Sequence, residues 1–526
     1  WDVNAATSRN RADQTTHGSY NIRRIATALG PVADCNADPA CVPLNLFGGA
    51  GSITQDMLAY IQPVLHDISE NNLRLYSANI TGDVLDMPAG LLAVAAGFET
   101  RELSGFYQPD ALVVAGDSNG VPSLPTSGEY DVDEFYAEAN VPLLADITAV
   151  QQLNLSLAMR WFDYSTFGSD STSKIGLEYR PIDALLFRAS VAEGFRAPSI
   201  GELFGSASRF DAQLSDPCSN YVGTTFEDQC RALGIPESYE QINPQISITT
   251  GGNPDLVPEE SDSVMFGAIY SPEWAAGLDW ASRMDFELTY YEHEINGAIQ
   301  AVDAQTQLIR CVQTGDPAFC TGISRTAGGE INGFANRLTN IGGIETSGFD
   351  FNVMYSSPDF AWGRLSVNWF NSFVTSYDEI QPSGEVVALE GTERSDRAYP
   401  EFQSNILTDW TLGDLSAAWT IRYIDAVTES CSDFLDGTPD SLTALGLCSN
   451  PSAVEANSTN ELDATLYNDL LVTWRVGGSD LAVSLGINNF LDEDPPICLS
   501  CSLNGYDAST YDVPGRFYYI RASWRM

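Results

Sequence analysis

The chain has 526 residues, and 25 Lys plus Arg against 71 Asp plus Glu leave a formal charge of −46. A polyanion of this strength repels phosphate backbones and anionic headgroups, which excludes nucleic-acid binding and docking on lipid through a basic patch. Apolar residues at 44% and aromatics at 11% are too many for a disordered acidic chain. The protein folds.

The chain opens on Trp1-Asp2-Val3-Asn4-Ala5, which is neither basic nor apolar enough for a secretory signal. It is expected to begin inside a strand, either as a mature start or as the later part of a longer chain. The most apolar run, Gly90 to Phe98, falls far short of the roughly 20 residues a spanning helix needs. The dominant period is two. Met284, Phe286, Leu288 and Tyr290 alternate with Asp285, Glu287 and Thr289, and Leu365, Val367, Trp369 and Phe373 alternate with Arg364, Ser366, Asn368 and Ser372. Such alternation marks strands with one apolar and one polar face. About sixteen are expected, near 1–7, 72–81, 90–98, 128–139, 151–162, 170–179, 183–193, 261–271, 279–295, 331–355, 362–377, 399–411, 414–425, 461–475, 480–490 and 513–526. Helical spacing is confined to short stretches such as Thr54 to Ile68 and Ala301 to Arg310.

The connections carry more information than the strands. Long ones (8–71, 99–127, 194–260, 296–330, 378–398, 426–460, 491–512) alternate with tight turns such as 180–183, 356–361 and Leu412-Gly413, the short 163–169 being the exception. In a meander, alternate connections lie at one end. The ten cysteines form close pairs in the long connections: Cys35 with Cys41, Cys218 with Cys230, Cys311 with Cys320, Cys431 with Cys448, and Cys498 with Cys501. Local pairing amid Gly, Pro, Asp and Ser favours disulfide staples over zinc, and disulfides place the chain in an oxidising compartment. Short turns at one end, long loops at the other, and Tyr and Trp near strand ends match an outer-membrane β-barrel. A soluble all-β protein is the alternative.

Five segments carry a resemblance. Glu193-Gly194-Phe195-Arg196-Ala197-Pro198-Ser199 precedes Glu202-Leu203-Phe204, and Gly252-Asn253-Pro254-Asp255-Leu256-Val257-Pro258-Glu259-Glu260-Ser261 follows. Ile344 to Asp350, Ile487 to Asp492 and Tyr511 to Phe517 complete the series. In this order they resemble the TonB-dependent outer-membrane receptors over about residues 180 to 526. The resemblance implies an all-β transmembrane antiparallel barrel, with about sixteen strands present of 22. It also implies that residues 1–526 are a partial barrel domain, the N-terminal plug and first strands lying outside this chain. The family's last strand usually ends on an aromatic; here Met526 is last, and Trp524 stands two before it on the same face.

The resemblance further implies an active importer in the outer membrane of a Gram-negative bacterium. It would bind a scarce extracellular solute and use energy from the TonB complex, contacted through the missing N-terminal part. Outer-membrane lipid surrounds it, and a second chain supplying the plug and remaining strands is an alternative arrangement. Lumen-facing Tyr291, Phe370 and Tyr519 are the candidate solute contacts. Within the family segments, Glu193, Arg196 and Glu202 read as a strand-end clamp, and Pro254 and Pro258 as fixing the loop's re-entry. Asn253 and Glu259 belong to the same segment. Gly116-Asp117-Ser118-Asn119-Gly120 fits a nucleophile elbow, but Val121-Pro122-Ser123-Leu124-Pro125 cannot begin the helix that elbow needs. It reads as a turn, and no enzyme activity is expected. No cofactor is expected; calcium on Asp131-Val132-Asp133-Glu134 or Asp492-Glu493-Asp494 is the alternative to solvated charge. The rival function is a passive sixteen-stranded porin, and the third class a soluble extracellular β-protein.

Overall fold

The computed structural model of the chain describes residues 1–120, 122–381, 384–394, 396–432, 436–477, 480–501 and 505–524. Sixteen long strands follow one another as an antiparallel meander. The first half comprises β1 (Asp2–Thr16), β2 (Leu65–Met87), β3 (Gly90–Gln108), β4 (Thr126–Ile147), β5 (Val150–Tyr164), β6 (Gly168–Ile182), β7 (Leu185–Arg196) and β8 (Glu259–Tyr270). The second half comprises β9 (Arg283–Asn296), β10 (Gly343–Ser356), β11 (Arg364–Ile380), β12 (Phe402–Leu412), β13 (Leu415–Ile424), β14 (Thr465–Arg475), β15 (Leu481–Asn488) and β16 (Phe517–Trp524). A short strand, Val386–Ala388, extends the sheet beside β11.

The register aligns like with like. One row runs Leu177, Ala189, Phe266, Tyr290, Phe349, Phe373, Phe402 from β6 to β12. The adjacent row on the opposite face runs Glu178, Arg188, Gly267, Thr289, Asp350, Ser372, Gln403. The sheet therefore carries a continuous apolar face and a continuous polar one. This is the arrangement a hydrocarbon exterior and an aqueous lumen require. On the apolar face two indole N–H groups are satisfied across strands: Trp369 Nε1 donates to Ser404 Oγ at 2.9 Å and Trp419 Nε1 to Asn468 Oδ1 at 3.1 Å. An unpaired donor in hydrocarbon would cost several kcal/mol.

Turns between β2 and β3, β4 and β5, β6 and β7, and β12 and β13 are tight, with Gly413 at φ 57° supplying the left-handed position of the last. The opposite end carries the loops. Helix Gln55–Ile61 is capped by Thr54 and helix Ala304–Thr314 by Asp303, close to the two expected helical stretches. Among the described residues, no helix is long and apolar enough to cross a membrane. The fully buried hydrophobic side chains concentrate in the loops and the loop ends of strands, around Tyr221, Leu308 and Tyr467, while most other strand residues stay partly exposed.

The loop layer is also where the cysteines lie, and all ten are joined as disulfides in the expected pairs. Cys35 is bonded to Cys41, Cys218 to Cys230, Cys311 to Cys320, Cys431 to Cys448, and Cys498 to Cys501. Each bond closes a segment within one loop. Cys230 is fully buried with Cys218 beside Tyr221, whereas Cys41 and Cys320 are only partly buried, at the margins of their clusters.

Several strands differ from their expected bounds. β1 and β2 extend far past 1–7 and 72–81 because their loop-end halves are polar on both faces, so ladder hydrogen bonds hold them where hydrophobic alternation has ended. The expected strand 331–355 divides. Ile331–Phe334 pairs instead with Ile323–Arg325, and β10 begins after Gly342 at φ 86°, where a Cβ would lie 2.3 Å from the Ile380 carbonyl oxygen. Among the described residues β1 pairs with β2 alone and β16 with β15 alone, so the ladder a closed sixteen-stranded porin requires does not form. Arg525 and Met526 lie outside the described residues.

Candidate functional site: the lumen wall and its mouth

The polar face and the loop ends above it hold the chain's organised charge. At the loop ends of β7 and β8, Arg196 grips two carboxylates. Its Nε and Nη2 donate to Glu259 at 2.7 Å each, and Nη1 and Nη2 to Glu202 at 3.0 and 3.1 Å. Glu202 lies in the one-turn helix Ile200–Phe204, whose capping box is complete: Ser199 Oγ accepts from Glu202 N, and Glu202 Oε2 accepts from Ser199 N at 2.7 Å. Burial raises the Glu202 pKa, but Arg196 and Ser199 outweigh it and hold the group below the usual carboxylate range. Glu259 also accepts from Ile299 N at 2.7 Å, and Asn253 Nδ2 donates to the Leu338 carbonyl at 3.0 Å. Gly252 and Gly205 pass so closely that a Cβ on Gly252 would lie 2.4 Å from Gly205 N. The structure thus brings Arg196, Glu202, Asn253 and Glu259 into one joint between two loops and two strands. Phe195 leaves it to stack on Phe162 at 3.9 Å, and Glu193 faces away, accepting from Ser173.

Below this joint, β3, β4 and β5 place Arg101, Glu134 and Arg160 on the polar face. Glu134, its side chain 2% exposed, lies between Arg101 Nη2 at 2.9 Å and Arg160 Nη2 at 3.2 Å. The expected acidic cluster at 131–134 does not converge, because strand alternation sends Asp131 and Asp133 to the other face. Asp492 likewise faces the Arg516 backbone N–H, which donates to it at 2.8 Å. Further down, a recess of about 440 Å³ is lined by Glu138, Asn140, Asn154, Ser156, Lys174 and Glu178. Lys174 is the single lysine of the sequence.

Tyr291, Phe370 and Tyr519 all lie on the polar face but on β9, β11 and β16, and no contact joins them. Tyr291 stacks on His293 at 5.5 Å and fills the space over Gly348, while Tyr519 fills that over Gly486. Ser118 is buried and docked through a bridge to Asn21, and the helix Ala111–Val114 precedes it, whereas a nucleophile elbow needs one to follow. Sequence reasoning missed the inward Arg101–Glu134–Arg160 set, although Arg160 between Met159 and Trp161 on β5 was a readable signal.

A family described as TonB dependent receptor-like, beta-barrel, matches residues 4–490. No curated protein matches. Among solved structures, a mutant of the ferric enterobactin receptor PfeA of Pseudomonas aeruginosa is 16% identical, with TM-score 0.55 over 88% of this chain and 54% of its own. Another PfeA mutant is 15% identical, with TM-score 0.55 over 98% of this chain and 59% of its own. The siderophore receptor PirA of Acinetobacter baumannii is 15% identical, with TM-score 0.52 over 88% and 55%. The chain spans a little over half the length of each.

Proposed function

The chain belongs to the TonB-dependent receptor β-barrel family, and on that premise we propose that it serves energised import of a scarce solute across the outer membrane. The observation that carries the reading is the family match over nearly the whole meander. The polar face offers a charged, aromatic-bearing path, and the disulfide-stapled loops a covered entrance. Energy reaches it from the TonB complex. The neighbours' descriptions as ferric enterobactin and siderophore receptors make iron chelates the first solute class to test. With a formal charge of −46, long-range repulsion favours a neutral or cationic chelate over a trianionic one.

The test is uptake of radiolabelled iron by cells carrying the full-length receptor, supplied as a neutral and as a trianionic chelate. Uptake of the neutral form is expected to stop when the proton gradient is collapsed, while surface binding persists. Uptake at full rate under an uncoupler overturns energised import in favour of passive diffusion, and energised uptake of neither chelate overturns the solute class.

A further inference from the structure

The loop core over β12, β13 and β14 contains an unusual charge arrangement. Glu393 sits on the short strand Thr392–Glu393, Glu429 on Val427–Ser430, and Asp507 and Tyr511 in the connection from β15 to β16. They are 4%, 1%, 0% and 2% exposed. Among the described residues no lysine or arginine side chain pairs with any of the three carboxylates. A charge buried without a partner is costly, so each must be satisfied in another way.

Two of them are satisfied by hydrogen-bond donors. Asp507 accepts from Ser509 N and Oγ at 2.7 Å each, from Thr510 N at 3.2 Å and from Ala398 N at 3.0 Å. Glu429 accepts from Asn460 Nδ2, Leu499 N and Ser500 N at 2.7 to 2.8 Å. Glu393 is different. Its carboxylate is served by the Arg397 backbone N–H, but its Oε1 lies 3.7 Å from Cys501 Sγ, which is half of a disulfide and carries no proton, and its Oε2 has no hydrogen-bond partner. The Tyr511 hydroxyl has none either, and it feels the charges of both Glu393 and Asp507. Three buried oxygen-bearing side chains therefore act on one another electrostatically, and Glu393 Oε2 and the Tyr511 hydroxyl are left without hydrogen-bond partners. One proton shared between Glu393 and Asp507 serves a single oxygen pair and leaves the Tyr511 hydroxyl unserved. A cation with several oxygen ligands serves all three. The donor set is hard oxygen, which suits the calcium class; Cys498 and Cys501 adjoin it, but as a disulfide they offer no thiolate for zinc.

We propose that Glu393, Asp507 and Tyr511 form a buried site for one hard divalent cation of the calcium class, which fastens the β11–β12 loop to the β15–β16 loop. The site lies apart from the lumen wall and does not depend on the transport reading.

The experiment uses the full chain in detergent with Tb³⁺ as the probe, excited through tyrosine. A tight phase at one equivalent, displaced by Ca²⁺ and weakened at least tenfold in Glu393→Gln, is expected. Absence of that phase, or its persistence unchanged in Glu393→Gln, overturns the site and leaves a buried proton or water in its place. Because the variant can fail to fold, the wild-type chain supplies a second readout. Proteolysis within 378–398 and 491–512 is expected to slow with Ca²⁺ and recover with chelator; cleavage indifferent to both overturns the proposal.

Discussion

Two cores in the loop layer join residues equally far apart in the chain, yet they settle their charges differently. In one, Asp216 of the β7–β8 loop, its side chain 0% exposed, meets Arg325 of the β9–β10 loop through a two-pronged pair at 2.5 and 2.9 Å. Tyr239 donates to the same carboxylate at 2.9 Å, and Cys218 N caps it at 3.0 Å. The charge is balanced by a side chain brought in from a second loop. In the other, Glu393, Glu429 and Asp507 share a core with no lysine or arginine partner among the described residues, and backbone N–H groups carry most of the load. The first solution is self-sufficient, its charge met by a side chain of the chain itself. The second makes loop packing depend on what occupies the remaining oxygen positions.

Removing the cation from the balanced core should have the largest effect. Arg325→Ala leaves Asp216 buried and unpaired, a change that costs about 3–5 kcal/mol where the pair is desolvated. Amide exchange over 214–239 should report it as faster opening, with the β-strands unaffected. A loss below about 1 kcal/mol, the value of an exposed pair, would show that the core is wetter than its burial implies.

The second comparison is pH. In chelator, Glu393 has a folded pKa raised to about 7 against an ordinary value of 4.5, burial being the largest cause. Asp507, Glu429, Tyr511 and Tyr399 are the titratable groups that face it. A raised acid binds its proton more tightly when folded, so its stabilisation is complete below 4.5 and is lost as pH rises through 7. Amide exchange across 427–462 should quicken by about tenfold per pH unit between 4.5 and 7, beyond the intrinsic exchange rate, and level off above 7. Glu393→Gln should abolish the dependence.

The sheet was legible because period two survives wherever one face meets hydrocarbon, as in Met284 to Tyr290. It faded in the loop-end halves of β1 and β2, where both faces meet water and only the ladder holds the strand. The disulfides were legible because each closes a short segment. Neither loop core was. Asp216 and Arg325, like Ala398 and Asp507, are 109 residues apart, and nothing local marks one as the other's partner. The Arg196 joint lay between these extremes: its capping box is written in Ser199 and Glu202, but Glu259 reaches it only through the pairing of β7 with β8.

The smallest effect separates loop closure from carboxylate chemistry. Cys431–Cys448 closes a separation of 17 residues and Cys498–Cys501 one of 3. Chain entropy alone assigns the longer staple about 3 kcal/mol and the shorter roughly 1.5 kcal/mol. Replacing both members of the longer pair by serine should cost close to its full share. The shorter pair is not equivalent, since Cys498 Sγ lies 3.3 Å from Glu429 Oε2 and Cys501 Sγ 3.7 Å from Glu393 Oε1. Serine places an O–H where the disulfide had no proton, and each new hydroxyl faces a buried carboxylate. A charge-assisted hydrogen bond is stronger than a neutral one, so Cys498→Ser with Cys501→Ser should cost less than the roughly 1.5 kcal/mol of closure. It should also lower the pH at which the core loosens in chelator. A cost at or above the closure value, with the pH dependence unmoved, would mean that the sulfurs matter only as a staple and that the acidic core is already satisfied without them.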